Sequence, residues 1–281
     1  MACFICVTCG VQHAPRADFP DRSPSACPVC EDERQYVRPT GQEWTTTEQL
    51  VAEGRRNLLA EIEPGLTTIN TVPSMAIGQQ GHLIQTPAGN VLWESVSLCE
   101  PESIAAVRAR GGIAAIAISH PHFYSAMVEW SHAFGGAPIW LHAEDRDWVM
   151  RPDPAIRFWS GDTADVLPGS GLTLIRVGGH FPGATDLLWP AGAGGRGALF
   201  TGDEPQVAMD TRWVSFLYSY PNMIPLGAGD VRRIARTLAR YQFDRIYGSW
   251  TPKVVPTNAS TVVAKSAERY LRHVEERGGL D

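Results

Sequence analysis

All but one of the 6 cysteines in this 281-residue chain fall within its first 30 positions, and no other feature constrains the fold as tightly. Cys6-Val-Thr-Cys9-Gly10 and Cys27-Pro-Val-Cys30 form two C-x2-C pairs about 17 residues apart, a spacing suited to four thiolates around one zinc ion. Two residues between cysteines let a tight turn aim both sulfurs at one ion, and Gly10 frees the backbone just past the first turn. Four sulfurs complete a tetrahedron, so a site of this kind is structural. Cys3 is left over and can replace Cys6 if the register shifts. Cys99, isolated in the sequence, reads as a small buried apolar residue.

Residues 1–40 carry little core of their own, so metal binding has to hold them folded. The segment resembles a zinc ribbon, and the acidic Glu31-Asp32-Glu33 disfavours nucleic acid as its partner; a structural module packed on the rest of the chain is expected. Residues 41–281 read as an ordinary globular domain, since 44% of the chain is hydrophobic. With 24 Lys+Arg against 30 Asp+Glu the net charge is −6, and no basic run is present, which argues against nucleic acid as a partner of the whole chain. No stretch approaches the roughly 18 apolar residues of a membrane span. The N-terminus lacks a basic region followed by an apolar one, so a cytoplasmic protein is expected.

A helix is expected over 46–62, where charged and apolar residues mix at helical spacing. Strands are expected at Leu83–Gln85, Asn90–Glu94, Ile113–Ile118, Pro138–Leu141, Leu172–Val177, Asp186–Trp189 and Ala198–Thr201, several of them separated by Pro/Gly turns. Further helices are expected at Pro121–Phe134, with Phe123, Met127, Trp130 and Phe134 on one face, at Val231–Tyr241 capped by Asp230, and at Thr261–Glu276. Interleaved strands and helices imply sheets covered by helices, an α/β or α+β arrangement.

Ile113-Ala-Ala-Ile-Ala-Ile118 reads as a buried strand, and it ends in Ser119-His120-Pro121-His122. Two histidines one residue apart at the tip of such a strand can reach one cation. Leu172-Thr-Leu-Ile-Arg-Val177-Gly-Gly-His180 repeats the device, and in Ala198-Leu-Phe-Thr-Gly-Asp203 a strand delivers a carboxylate past a glycine. Three strand ends thus present metal-capable groups. His142 also follows a β-like run, ahead of Glu144 and Asp145. His132, His13, His82 and His273 have no constellation around them and read as structural or exposed.

In order and spacing these elements resemble the metallo-β-lactamase superfamily over roughly residues 65–255. The resemblance implies a four-layered αβ/βα sandwich, preceded here by the small zinc ribbon, with metal at the edge between two sheets. Of that family's H-x-H-x-D-H motif, His120 and His122 match the first two histidines; His180 matches the later lone histidine and Asp203 the carboxylate that bridges two metals in binuclear members. Gly89-Asn-Val-Leu-Trp-Glu94 is similar to the strand that precedes the site. Tyr124 and Ser125 stand where the motif has Asp and His, and Trp250 lies where a final histidine is expected. Both departures remove the second metal, so the resemblance implies a mononuclear centre of His120, His122 and His180, with Asp203 as fourth ligand or hydrogen-bonding neighbour and with an exchangeable position that keeps one face of the ion open to solvent.

A zinc ion on three imidazoles makes hydroxide available near neutral pH, and this implies hydrolysis of an ester, lactone, amide or thioester of a small molecule. Asp203 would orient the water or take its proton, Tyr124 would donate to a developing oxyanion, and His142 and Trp250 would stand beside the ligands or against the substrate. Phe216, Tyr218 and Tyr220 alternate along an extended segment that would wall a pocket above the metal, cover the core or meet a second copy of the chain. Imidazole and carboxylate suit iron as well as zinc, which leaves a lyase or oxidoreductase open. A catalytically silent scaffold docking a protein through the ribbon is the reading from another class, and a homo-oligomer stays open.

Overall fold

The structure is a computed structural model that describes residues 3–15 and 22–275. Its organising element is the alternation within short strands. In Ala115–Ala117 the alanines face one way, into a cluster with Trp93, Leu187 and Phe200, while Ile116 faces the other, into a cluster with Val107, Met127 and Trp130. Successive side chains of a strand point to opposite faces, so a strand apolar at every position must be covered on both.

That requirement produces four layers. One sheet runs in the order Ile156–Trp159, Ile139–His142, Ala115–Ala117, Gly89–Trp93, Gly81–Thr86, Leu66–Val72, Arg56–Glu63. Its first four strands are parallel and the others antiparallel. The second sheet runs Thr163–Asp165, Thr173–Arg176, Thr185–Trp189, Ala198–Phe200, Arg245–Tyr247, Val254–Val255. The outer face of the first sheet packs on Pro101–Arg108 and Met127–Ala133, and that of the second on Ala228–Leu238 and Ala259–Glu275. This is the α/β sandwich expected above. Parallel strands end on the same side, so the tips after Gly89–Trp93, Ala115–Ala117 and Ile139–His142 share one edge. The Thr185 amide, donating to the Ser119 carbonyl (3.0 Å), ties the two sheets together there.

Three local expectations are corrected. The helix expected over 46–62 is short, Thr47–Ala52, and Gly54 at φ +78° precedes the strand Arg56–Glu63. That strand lies at a sheet edge; the apolar Leu58, Ala60 and Ile62 stand on its exposed face while Asn57 and Glu63 stand with Leu59 on the half-buried one, so apolarity does not follow burial and the mixed composition imitates a helix. Pro121–Phe134 is a 3-10 turn, Pro121–Phe123, followed by the helix Met127–Ala133. The break falls at Ser125, at φ +38°, whose hydroxyl accepts from Gln79 (2.6 Å). Phe123, Met127 and Trp130 still share one core cluster, which is why the spacing imitated one continuous helix. The helix expected at Val231–Tyr241 is Ala228–Leu238, with Gly227 as its N-cap and Asp230 inside its first turn, paired to Arg233 at 2.8 Å. The expected end of the last helix at Glu276 lies outside the described residues.

The cysteine-bearing segment forms a small sheet, Gln12–His13, Phe4–Cys6, Trp44–Thr45, and a short helix, Pro28–Glu31. Its third strand lies beyond residue 40. Hydrogen bonds join it to the main sandwich: Gln12 N to Ser125 O (3.1 Å), Ala14 N to Met150 O (3.1 Å) and Ser97 Oγ to Gly10 O (2.8 Å). Gly10, at φ +83°, leaves no room for a side chain, since a Cβ would sit 2.5 Å from Ser97 Oγ.

Candidate metal centre

Two buried clusters converge to within 4.8 Å among their donor atoms: Cys6, Cys9, Cys27 and Cys30, and His120, His122, His180 and Asp203. In the first, Sγ of Cys6 lies 3.5 Å from that of Cys30, and Sγ of Cys9 lies 3.7 Å from that of Cys27. A zinc tetrahedron with bonds of about 2.3 Å has edges of roughly 3.8 Å, so the sulfurs are arrayed as the ion requires. The Gly10 amide donating to Cys6 O (2.8 Å) and those of Cys30 and Glu31 donating to Cys27 O form the two turns. Hydrogen bonds from Cys30, Cys6 and Cys9 hold the Cys27 thiol well below its ordinary value. His13, read from sequence as remote from any site, places Nε2 3.5 Å from Cys27 Sγ, with its ring edge-on to Trp44. Only the return of the first strand pair brings it there, and no sequence motif marks that.

In the second cluster, His120 and His122 follow Ala115–Ala117, His180 follows Thr173–Arg176 and Asp203 follows Ala198–Phe200. Asp203 Oδ2 is 3.4 Å from His120 Nε2, 3.4 Å from His180 Nε2 and 3.9 Å from His122 Nδ1; His180 Nε2 is 3.2 Å from His122 Nδ1. With metal bonds of 2.0–2.1 Å a tetrahedron has edges of roughly 3.3–3.4 Å. His120 Nε2 is buried without a hydrogen-bond partner, facing this centre. The residues therefore fit a single cation.

The outward ring atoms of His120 and His180 are fixed by neighbours, whereas His122 Nε2 is buried with no partner among the described residues. His120 Nδ1 lies 2.8 Å from Ser119 Oγ, His180 Nδ1 donates to Leu217 O (3.1 Å), and Gln206 Nε2 donates to Asp203 Oδ1 (2.9 Å). Such supports select the ring nitrogen that faces the ion. Burial depresses His120 to about 4 and His180 well below its ordinary value, although Asp203 opposes the shift in both. Both imidazoles are thus neutral and able to ligate. Burial would raise the Asp203 carboxyl; the imidazoles of His120, His122 and His180 that face it outweigh burial and hold the group well below the ordinary carboxylate range. Gly202 lets the aspartate loop approach, because a Cβ there would lie 2.3 Å from Ser119 Oγ. Glu94, at φ +62°, accepts from the Ser119 amide (3.3 Å). Burial pushes the carboxyls of Glu94, Asp186 and Glu204 well above their ordinary range, and among the described residues no partner meets either oxygen of the last two.

The remaining sequence candidates lie elsewhere. His142 is engaged at both ring nitrogens, Nε2 near Gly161 O (3.3 Å) and Nδ1 accepting from Glu144 N (3.3 Å), and is not among the four clustered donors. Tyr124 is 2% exposed, and its hydroxyl donates to Asp145 O (3.5 Å). Trp250 donates to Ile77 O (2.8 Å) and packs on Phe123, and Ser249 before it donates to Thr201 O (3.2 Å). Of the aromatic segment, Phe216 is in the core, Tyr218 donates to Glu33 (2.6 Å), and Tyr220 donates to Asp203 O (2.7 Å) with its ring 6.0 Å from that of His180. The open face expected of the ion is not seen: His120, His122 and His180 are 1–2% exposed and Asp203 6%. Leu217 and Tyr220 of segment 203–226 and Arg34 of the cysteine-bearing segment lie against the strand tips, bonded to His180 Nδ1, Asp203 O and His180 O respectively.

Four layers around two sheets, with a His3Asp group at the shared sheet edge, define a metallo-β-lactamase fold. Solved structures match accordingly. VMB-1 aligns at TM-score 0.59 and 11% identity over 78% of this chain and 98% of its own. DIM-1 metallo-β-lactamase exposed to ceftazidime gives the same figures. A Cronobacter sakazakii metallo-β-lactamase described by its HARLDQ motif gives 0.52 and 16%, over 78% and 93%. No family model matches the chain. It is 48% identical over 273 residues to the "uncharacterized protein YmaE" of Bacillus subtilis (strain 168), covering 97% of each, and the chain belongs to the family of that protein.

Proposed function

We propose that the chain is a metal-dependent hydrolase acting on an ester, lactone, amide or thioester of a small molecule through one cation held by His120, His122, His180 and Asp203. The observation that carries this is the convergence of four donor atoms, all within 4.8 Å of one another, at the carboxyl ends of strands from both sheets. Zinc in that position supplies Lewis acidity and, from water, a nucleophile at neutral pH. The protein's share is positional. Ser119 and Leu217 orient two imidazoles, and Gln206 leaves Asp203 Oδ2 facing the reacting centre as ligand or proton acceptor. Lys253 in turn supports Gln206 (3.2 Å). Reduced, closely spaced thiols fit a cytoplasmic setting, and no helix among the described residues is long and apolar enough to cross a membrane.

The burial of all four ligands favours a second reading, a closed structural centre in a scaffold protein. Four protein ligands with no access mark a metal that stabilises rather than reacts. Turnover of aryl-ester, lactone and thioester panels by zinc-loaded protein, beside His180→Ala, separates the two. Hydrolysis that falls at least a thousandfold in the variant supports the enzyme. Loaded protein no faster than His180→Ala on every class, with an ion that resists chelators, establishes the closed centre.

A further inference from the structure

Arg34 belongs to the cysteine-bearing segment, just past Cys30, yet its guanidinium ends behind the histidine cluster. Nη1 donates to the main-chain carbonyl of His180 (3.2 Å), while Nε and Nη2 grip Asp32 at 2.6 and 2.9 Å. The guanidinium carbon sits 3.9 Å from the ring centroid of Phe181. That ring, fully buried, lies 5.5, 4.9 and 5.3 Å from the imidazoles of His120, His122 and His180. One aromatic ring therefore relays contact from Arg34 to all three.

The backbone at His180 needs such support. It follows Gly178 and Gly179, both at positive φ, and lies outside any strand. Its imidazole is aimed by Leu217 O, and the segment carrying Leu217 is itself tied to residues 33–35: Tyr218 Oη to Glu33 (2.6 Å), Ser219 Oγ to Arg34 O (3.1 Å), Asn222 Nδ2 to Glu33 O (2.8 Å) and Gln35 O (2.9 Å). Both restraints on His180, on its carbonyl and on its ring, thus lead back to the turn that follows Cys30.

We infer that the cysteine module is a positioning device for the histidine centre, with Arg34 as its positioning residue. Metal at the four cysteines fixes the turn, the turn fixes Arg34 and the Leu217 segment, and these set the affinity and ligand geometry at His180. The inference rests on the histidine cluster binding a metal, not on its being hydrolytic. A planar fork that binds a carboxylate bidentately, meets a carbonyl and stacks on a ring is not replaced by lysine. Supports of this kind typically contribute 10–100-fold to metal affinity.

The test uses the full chain loaded with cobalt, because thiolate charge-transfer bands report the cysteine site and weaker visible bands the nitrogen–oxygen site. Arg34→Met is expected to leave the thiolate bands intact, weaken cobalt at the histidine site 10–100-fold in chelator competition and shift its visible bands; Arg34→Lys is expected to recover little. A folded Arg34→Met with thiolate bands, affinity and visible bands all unchanged overturns the inference while leaving the metal site standing. Should Arg34→Met lose the thiolate bands, the double variant Tyr218→Phe, Ser219→Ala, which cuts the second tie alone, is expected to weaken the histidine site several-fold, and unchanged affinity there overturns the inference instead. Wild-type protein without a visible nitrogen–oxygen band removes the metal site and the inference together.

Discussion

Gly202 and Ser119 approach so closely that a Cβ on the glycine would lie 2.3 Å from the serine hydroxyl, the same hydroxyl that meets His120 Nδ1. The glycine before the aspartate is there for space. Gly202→Ala is expected to displace Ser119 or the aspartate loop, costing about 1–3 kcal/mol in stability and roughly 10–100-fold in metal affinity. Denaturant unfolding and chelator competition measure the two. Unaltered metal affinity would show that the contact does not govern the site.

Cys30→Ser removes a sulfur from a cluster whose segment has little other core. Loss of one metal equivalent is expected, together with protease sensitivity within residues 22–45. A variant that keeps its full metal content and its resistance would contradict a four-thiolate site.

Asp145 is 1% exposed; burial, only partly offset by the hydrogen bond from Gly183 N, raises its carboxyl to about 7. The folded pKa exceeds the unfolded one, so the contribution of this group to stability is complete below about pH 4 and is lost as pH rises through 7. Asp145→Asn keeps the acceptor for Gly183 and is expected to stabilise the protein by roughly 1–4 kcal/mol at pH 8 and much less at pH 4. Equal effects at both pH values would rule out this account of the carboxyl.

His82 has the opposite sign. Wholly buried between Phe200 and Tyr247, it is depressed by desolvation to about 3. Its unfolded form takes up a proton near pH 6.5, so stability is present above that pH and lost as pH falls toward 3. His82→Leu is expected to flatten the acid limb of the unfolding midpoint against pH; a limb as steep as wild type would place the acid sensitivity elsewhere.

Much of the sandwich was legible because its strands are short, continuously apolar and punctuated by glycine. The same punctuation exposed His120, His122, His180 and Asp203, each just past a strand end. Arg56–Glu63 was not legible, since this edge strand carries Leu58, Ala60 and Ile62 on its exposed face and Asn57 and Glu63 on its half-buried one, which hides the period of two. Ser125 broke a helix whose apolar spacing continues on either side. The supports of the site were invisible for another reason: Leu217 acts through a main-chain carbonyl, and His13 and Arg34 act across the junction between the cysteine segment and the sandwich. The closure over the ligands is likewise a property of packed loops, which no local motif records.

Metal content per chain is the most direct check on the central claim that two separate clusters each bind one ion. Elemental analysis of the purified full chain is predicted to find two equivalents, falling to one in His180→Ala and to one in Cys30→Ser. A wild-type value of one that is unchanged in His180→Ala would contradict the account, because the histidines and Asp203 would then hold nothing.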